Sequence, residues 1–134
     1  MKVDQKLFDS AVALIEERFG KSSDKGAAAI YTESGKILTS TAPDALNDGV
    51  SLCHEAGAFC EAYKIDEKIV ASICIHQGEN GKNITLTPCG ICQERLYLYG
   101  GDVEVGVPNK KDPSKWESRK LKEVQPYYWR NILK

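Results

Sequence analysis

KIVASICIHQGENGKNITLTPCGIC, residues 68 to 92, carries a strand, a loop, a second short strand and the start of a helix within one stretch. Its first ten residues are nearly continuous in apolar character and rich in isoleucine and valine, as a strand covered on both faces would be. GENGKN breaks the pattern and reads as a loop, and ITLT is short and β-branched. Pro88 then gives up a backbone donor that the first turn of a helix leaves unpaired anyway. CQERLYLY therefore reads as a helix, stopped by Gly100 and Gly101.

The same reasoning extends in both directions. Val3, Leu7, Phe8, Ala11, Leu14, Ile15 and Phe19 recur at three and four, which predicts an amphipathic helix over residues 4–19, ended by Gly20. Two apolar runs around Glu33, Ser34 and Gly35 predict a hairpin over 26–32 and 36–41. In LCHEAGAFCEAYKI, Leu52, Ala56, Phe59, Cys60 and Tyr63 share one helical face and predict a second helix. DVEVGV is a further strand, WESRKL a possible last one, and EVQPYYWRNIL a terminal helix or turn. This alternation of helices and strands implies an α/β fold, one three-layer α/β/α sandwich around a mixed sheet of about five strands.

A chain of 134 residues with no repeat and no linker is expected to form one domain over 1–134. Lys and Arg number 18 against 19 Asp and Glu, so no basic field exists to draw nucleic acid or anionic lipid. A small polar ligand fits better. The first twenty residues lack the unbroken apolar core of a signal peptide or membrane span, which predicts a cytosolic protein with no membrane partner. Five cysteines are an odd number for such a chain, and metal binding or catalysis explains them better than disulfides.

Cys89 and Cys92, three apart around Gly90, are compatible with a disulfide, a redox pair, a buried pair or half of a metal site. A third ligand would decide. Cys53 opens the second predicted helix as Cys89 and Cys92 open the third, and a helix start favours thiolate over thiol. Cys60 lies seven residues further on, about 10 Å along a helix, too far to share one zinc with Cys53. It is expected in the core, as is Cys74 within VASICI. Three thiolates leave a tetrahedral zinc with one open position, which is the catalytic pattern. Glu55, two residues after Cys53, is the base expected beside it.

Cys53, His54 and Glu55 match the C-x-E of the cytidine deaminase family, and Pro88-Cys89-Gly90-Ile91-Cys92-Gln93 resembles its P-C-G-x-C box. The resemblance runs from GAA at residues 26–28 to KEVQP at 122–126, which is similar to the family's closing K-E-L-L-P. It implies one zinc held by Cys53, Cys89 and Cys92. The implied reaction is hydrolytic deamination at C4 of cytidine or deoxycytidine, with Glu55 as proton shuttle, in pyrimidine salvage. A homo-oligomer, tetramer or dimer, is implied too.

Departures from the family's pattern fall on the sugar side. The stretch N-x-E that holds ribose corresponds to Ala42, Pro43 and Asp44; Asp44 offers an acceptor to a sugar hydroxyl and Ala42 offers no polar side chain. Ser23, Asp24 and Lys25 stand where a phenylalanine is frequent. Ala56 replaces an arginine that balances thiolate charge, leaving Arg95 or His54 to do so. Such changes also suit a modified cytosine nucleoside of the blasticidin S kind. Tyr127, Tyr128 and Trp129 are expected to pack at the C-terminus or to act as a lid. The rival from another class is a non-catalytic zinc module closed by His54 or His76.

Overall fold

The computed structural model describes residues 1–133. Helix α1 spans Gln5–Phe19 and begins where sequence periodicity places it. Asp4 caps it by accepting from the Leu7 N–H at 2.9 Å, a contact worth about 1 kcal/mol. Gly20, at φ 85, ends it. Strands β1 (Lys25–Thr32) and β2 (Ile37–Ser40) form the predicted hairpin. Helix α2 (Ala56–Lys64), strand β3 (Ile69–Gln77), strand β4 (Asn83–Leu86) and helix α3 (Gly90–Leu96) follow. Strands β5 (Glu104–Pro108) and β6 (Trp116–Lys120) and a one-turn helix α4 (Leu121–Val124) complete the elements that matter here.

These strands make one mixed sheet of six in the order β2-β1-β3-β5-β6, with β4 beside the far half of β3. Both short segments, ITLT and WESRK, join the sheet, which raises the expected five strands to six. Among the described residues only the β3–β5 pairing is parallel. Central β3 is covered on both faces, and that is why its sequence lacks the alternation of a half-exposed strand.

Two clusters sandwich the sheet. On one face Leu7, Ala11 and Ile15 of α1 pack on Ala27, Ala29, Tyr31, Ala71, Ile73 and Ile75. On the other, Ala58 and Ala62 of α2 and Leu96 of α3 pack with Ile30, Ile69 and Val105. Burying a leucine or isoleucine contributes about 1.5–3 kcal/mol. Leu7, Ile15, Ile30, Ile73 and Ile75 are all nearly inaccessible, so both faces are tied to the sheet.

The second helix differs from its predicted form. It begins at Ala56, its buried residues are Ala56, Ala58 and Ala62, and Cys60 is exposed rather than in the core. Tyr63 is exposed as well, and Leu52 lies ahead of the helix, also exposed. Small side chains face the sheet because the helix approaches β2 closely: a Cβ on Gly57 would lie 2.8 Å from that of Ser40. Cys74 is buried as expected.

Candidate metal centre

The turn entering α2 delivers Cys53 and Glu55, and the first turn of α3 delivers Cys89 and Cys92. Ala56 N–H bonds the Cys53 carbonyl at 3.1 Å, which tightens the first turn. In the second, Gln93 N–H bonds the Cys89 carbonyl at 2.8 Å, and its side-chain amide donates to the Pro88 carbonyl, also at 2.8 Å. Each pair of residues is therefore fixed by its own backbone.

The Sγ atoms of Cys53, Cys89 and Cys92 all lie within 4.8 Å of one another, with Cys53 and Cys89 at 3.2 Å. Zinc–sulfur bonds of about 2.3 Å in tetrahedral array place sulfurs about 3.8 Å apart, within that spread. Geometry and donor type fit zinc. Among the described residues the group has these three members. His76 is paired through Nε2 with Asp24 at 2.7 Å, and His54 Nδ1 accepts from the Ala42 N–H at 3.3 Å.

Burial raises the Cys92 thiol, and the charge of Glu55 raises it further; Cys74 shifts the same way for the same reasons. Cys53 is also raised by burial, with the Cys89 thiol beside it. Cys89 goes the other way. Burial opposes its ionisation, but the Cys92 N–H, the Cys53 thiol and the Ile91 N–H all hold its thiolate and bring it below the ordinary value. It is the sulfur most ready to meet a cation.

Glu55 is 6 % exposed and makes no capping bond although it is the N-cap of α2. It lines a cleft of about 200 Å³ with Leu52, Cys53, His54, Cys74, Leu86, Thr87 and Cys89. On its inner side a small void is lined by Glu55, Cys92, Ser72 and Arg95 among others. Arg95 Nη1 and Ser72 Oγ are buried without a hydrogen-bond partner. Arg95 thus shares that void with Glu55 and Cys92. Burial lowers the pKa of the His54 ring, against the pull of Glu55.

Asp44 forms an ion pair with Lys25 at 2.7 Å, and the lysine holds it below the usual carboxylate range. With Ala42, Thr41, Pro43, Arg18 and Phe19 they line a second cleft of about 250 Å³. His54 joins the two clefts, bonded to Ala42 and within 3.4 Å of Thr41 Oγ1. A larger hollow of about 750 Å³, lined by Lys110, Lys111 and Arg119 among others, shares only Thr87 with the sulfur-lined cleft. It contains no thiol. Tyr128 packs on Tyr97 with ring centroids 3.8 Å apart and donates to Glu94, so it belongs to the core, while Tyr127 and Trp129 are exposed.

Sequence reasoning missed Ser40. Its hydroxyl donates to the His54 carbonyl at 2.5 Å and accepts from the Ala58 N–H at 2.9 Å. A serine at the end of a strand gives no sign of partners 14 and 18 residues away.

Three convergent cysteines and a buried glutamate at two helix starts, set on a mixed α/β sheet, define a protein of the deaminase-like class. The fold matches a cytidine deaminase from Bacillus anthracis with 41% identity and a TM-score of 0.85, covering 96% of this chain and 91% of that one. Cytidine deaminases from Mycobacterium leprae (22% identity, TM-score 0.69, 90% and 95% covered) and Burkholderia pseudomallei (20%, 0.70, 91% and 95%) share the fold. No protein-family model matches the chain, nor does any curated protein. At 41% identity over nearly its whole length, the chain belongs to the cytidine deaminase family.

Proposed function

We propose that the protein is a zinc-dependent hydrolase that converts cytidine or deoxycytidine and water to uridine or deoxyuridine and ammonia. The observation that carries this reading is the meeting of three cysteine sulfurs beside a buried, uncapped glutamate. Likeness to the cytidine deaminase from Bacillus anthracis supports it.

Cys53, Cys89 and Cys92 would hold the metal. Zinc there supplies Lewis acidity, which brings the pKa of water toward neutrality. Glu55 takes the proton from water as oxygen adds to C4 and passes it to N3 of the ring. It then carries the proton of the new C4 hydroxyl to the amino nitrogen, so that the C4–N bond breaks and ammonia leaves as the carbonyl forms. Its burial keeps bulk water from competing for that proton. Arg95 opposes part of the negative charge that three thiolates and one carboxylate concentrate in a small volume.

Either cleft alone is smaller than the roughly 300–1,000 Å³ of ordinary small-molecule sites. A nucleoside uses both, with its base against Glu55 and its sugar toward Thr41, Ala42 and Asp44. The Asp44 carboxylate then exchanges its exposed Lys25 partner for a sugar hydroxyl. A non-catalytic zinc module fits less well, because His54 and His76 are both bonded elsewhere and Glu55 would be buried to no purpose.

We read residues 1–134 as one domain, since both core clusters share one sheet, and place the protein in the cytosol on its free thiols. Among the described residues no helix is long and apolar enough to cross a membrane. Pyrimidine salvage is the role that fits, with a nucleoside as partner and no nucleic acid.

The test is ammonia release by zinc-loaded protein from cytidine, deoxycytidine, cytosine, deoxycytidine monophosphate and blasticidin S. Turnover of the two free nucleosides above the others is expected. Turnover confined to blasticidin S would move the substrate to modified cytosines. Silence on the whole panel would refute the enzyme reading.

A further inference from the structure

We infer that Ser40 is a positioning residue that leaves the Glu55 carboxylate free for proton transfer, an inference that rests on the deaminase reading above. Glu55 is the N-cap of α2. A capping side chain there accepts from the second or third backbone N–H of the helix, and the Glu55 carboxylate is the acceptor this position carries. The third belongs to Ala58, and it donates instead to the Ser40 hydroxyl, reaching across from β2 at 2.9 Å. Glu55 is thereby relieved of capping.

The same hydroxyl donates to the His54 carbonyl at 2.5 Å. Were the helix one residue longer at its start, the Ala58 N–H would bond that carbonyl directly. One oxygen is therefore interposed between the His54 carbonyl and the Ala58 N–H, donor to one and acceptor from the other, just ahead of the helix's first bond from Phe59 N–H to the Glu55 carbonyl at 2.9 Å. A hydroxyl performs both roles; a methyl group performs neither. Its neighbours hold the ring of the same residue, since Ala42 N–H donates to His54 Nδ1 while Thr41 Oγ1 is anchored on the Gly26 carbonyl at 2.6 Å. Both the backbone and the side chain that precede Glu55 are gripped by residues 40–42.

Gly57 makes this approach possible, because a Cβ there would stand 2.8 Å from that of Ser40. Ala58 is 1% exposed, so water does not replace a lost partner for its N–H. Without the hydroxyl, two acceptors are near in the chain: the Glu55 carboxylate and the His54 carbonyl. Capture by either one moves Glu55. Cys89 and Cys92, on the separate helix α3, keep their places, and Cys53 is held in its turn by the bond from Ala56 N–H to its carbonyl at 3.1 Å.

Two variants test this in the zinc-loaded protein. Ser40→Ala removes the hydroxyl, and Gly57→Ala displaces it without removing it, so the second serves if the first fails to fold. For cytidine, kcat is expected to fall at least about thirtyfold in each, with KM within about threefold of the parent. Zinc stoichiometry and affinity, read by chelator competition, should be unchanged. A kcat within threefold of the parent would overturn the inference, as would a fall that merely tracks lost zinc. A parent protein inactive on every cytosine nucleoside would refute the deaminase reading instead. The crystal structure of Ser40→Ala then decides independently: Glu55 shifted toward the Ala58 N–H, or α2 closed on the His54 carbonyl, supports the inference, and an unmoved Glu55 contradicts it.

Discussion

Arg95 occupies a place where its charge has consequences, since it lines one void with Glu55 and Cys92 and has one nitrogen buried and unpartnered. Replacing it by glutamine leaves three thiolates and a carboxylate without a nearby cation. Removing one neighbouring positive charge from such a cluster changes metal affinity by on the order of tenfold. Arg95→Gln should therefore hold zinc about tenfold more weakly in chelator competition, and unaltered affinity would remove the arginine from this role. The candidate metal and catalytic residues were legible in the sequence because few residue types bind zinc and their spacings are short. Arg95 was visible only as one of two options. Cys60 was misplaced because the helix turns its small residues, Ala58 and Ala62, to the sheet it closely approaches, and not the larger apolar side chains that periodicity selects.

Elements were easier to read than their joints. The long α1 and the buried β3 announce themselves by period and composition, whereas β4 and β6 are short and owe their place to neighbours. One joint has a measurable pH signature. Glu67, between α2 and β3, is held by the Ser34 hydroxyl, the Thr32 hydroxyl and Lys36, and its pKa falls to about 2. Lys36 Nζ stands 3.0 Å away. An unfolded glutamate titrates near about 4.3, so the folded value is depressed and this contribution to stability is present above that pH. It fades as pH falls through about 2. Glu67→Gln should lower the urea midpoint at pH 7 and leave it unchanged near pH 2; an equal loss at both would show that charge is not the cause.

Of the whole molecule's exposed apolar side chains, some lie at the site and on the loop before it. Leu52 and Leu86 line the cleft and are exposed, and Leu46 and Val50 project from the loop leading to it. Such a patch is ordinarily covered in a stable assembly. We expect a homo-oligomer whose subunits cover this loop, so sedimentation should give a multiple of 14.8 kDa. Leu46→Glu with Val50→Glu should reduce the mass and the turnover together. A fully active monomer would contradict that. The α/β sandwich itself could be read from the order of elements, but no sequence pattern in one chain reveals which surface faces a second copy.

The central claim joins a metal held by Cys53, Cys89 and Cys92 to proton transfer by Glu55. Ammonia release from cytidine, measured beside zinc content for the parent and Glu55→Gln, tests it most directly. One zinc per chain in both, with turnover in the parent and a loss of at least about a thousandfold in the variant, is the predicted result. Substantial turnover by zinc-loaded Glu55→Gln would contradict the account.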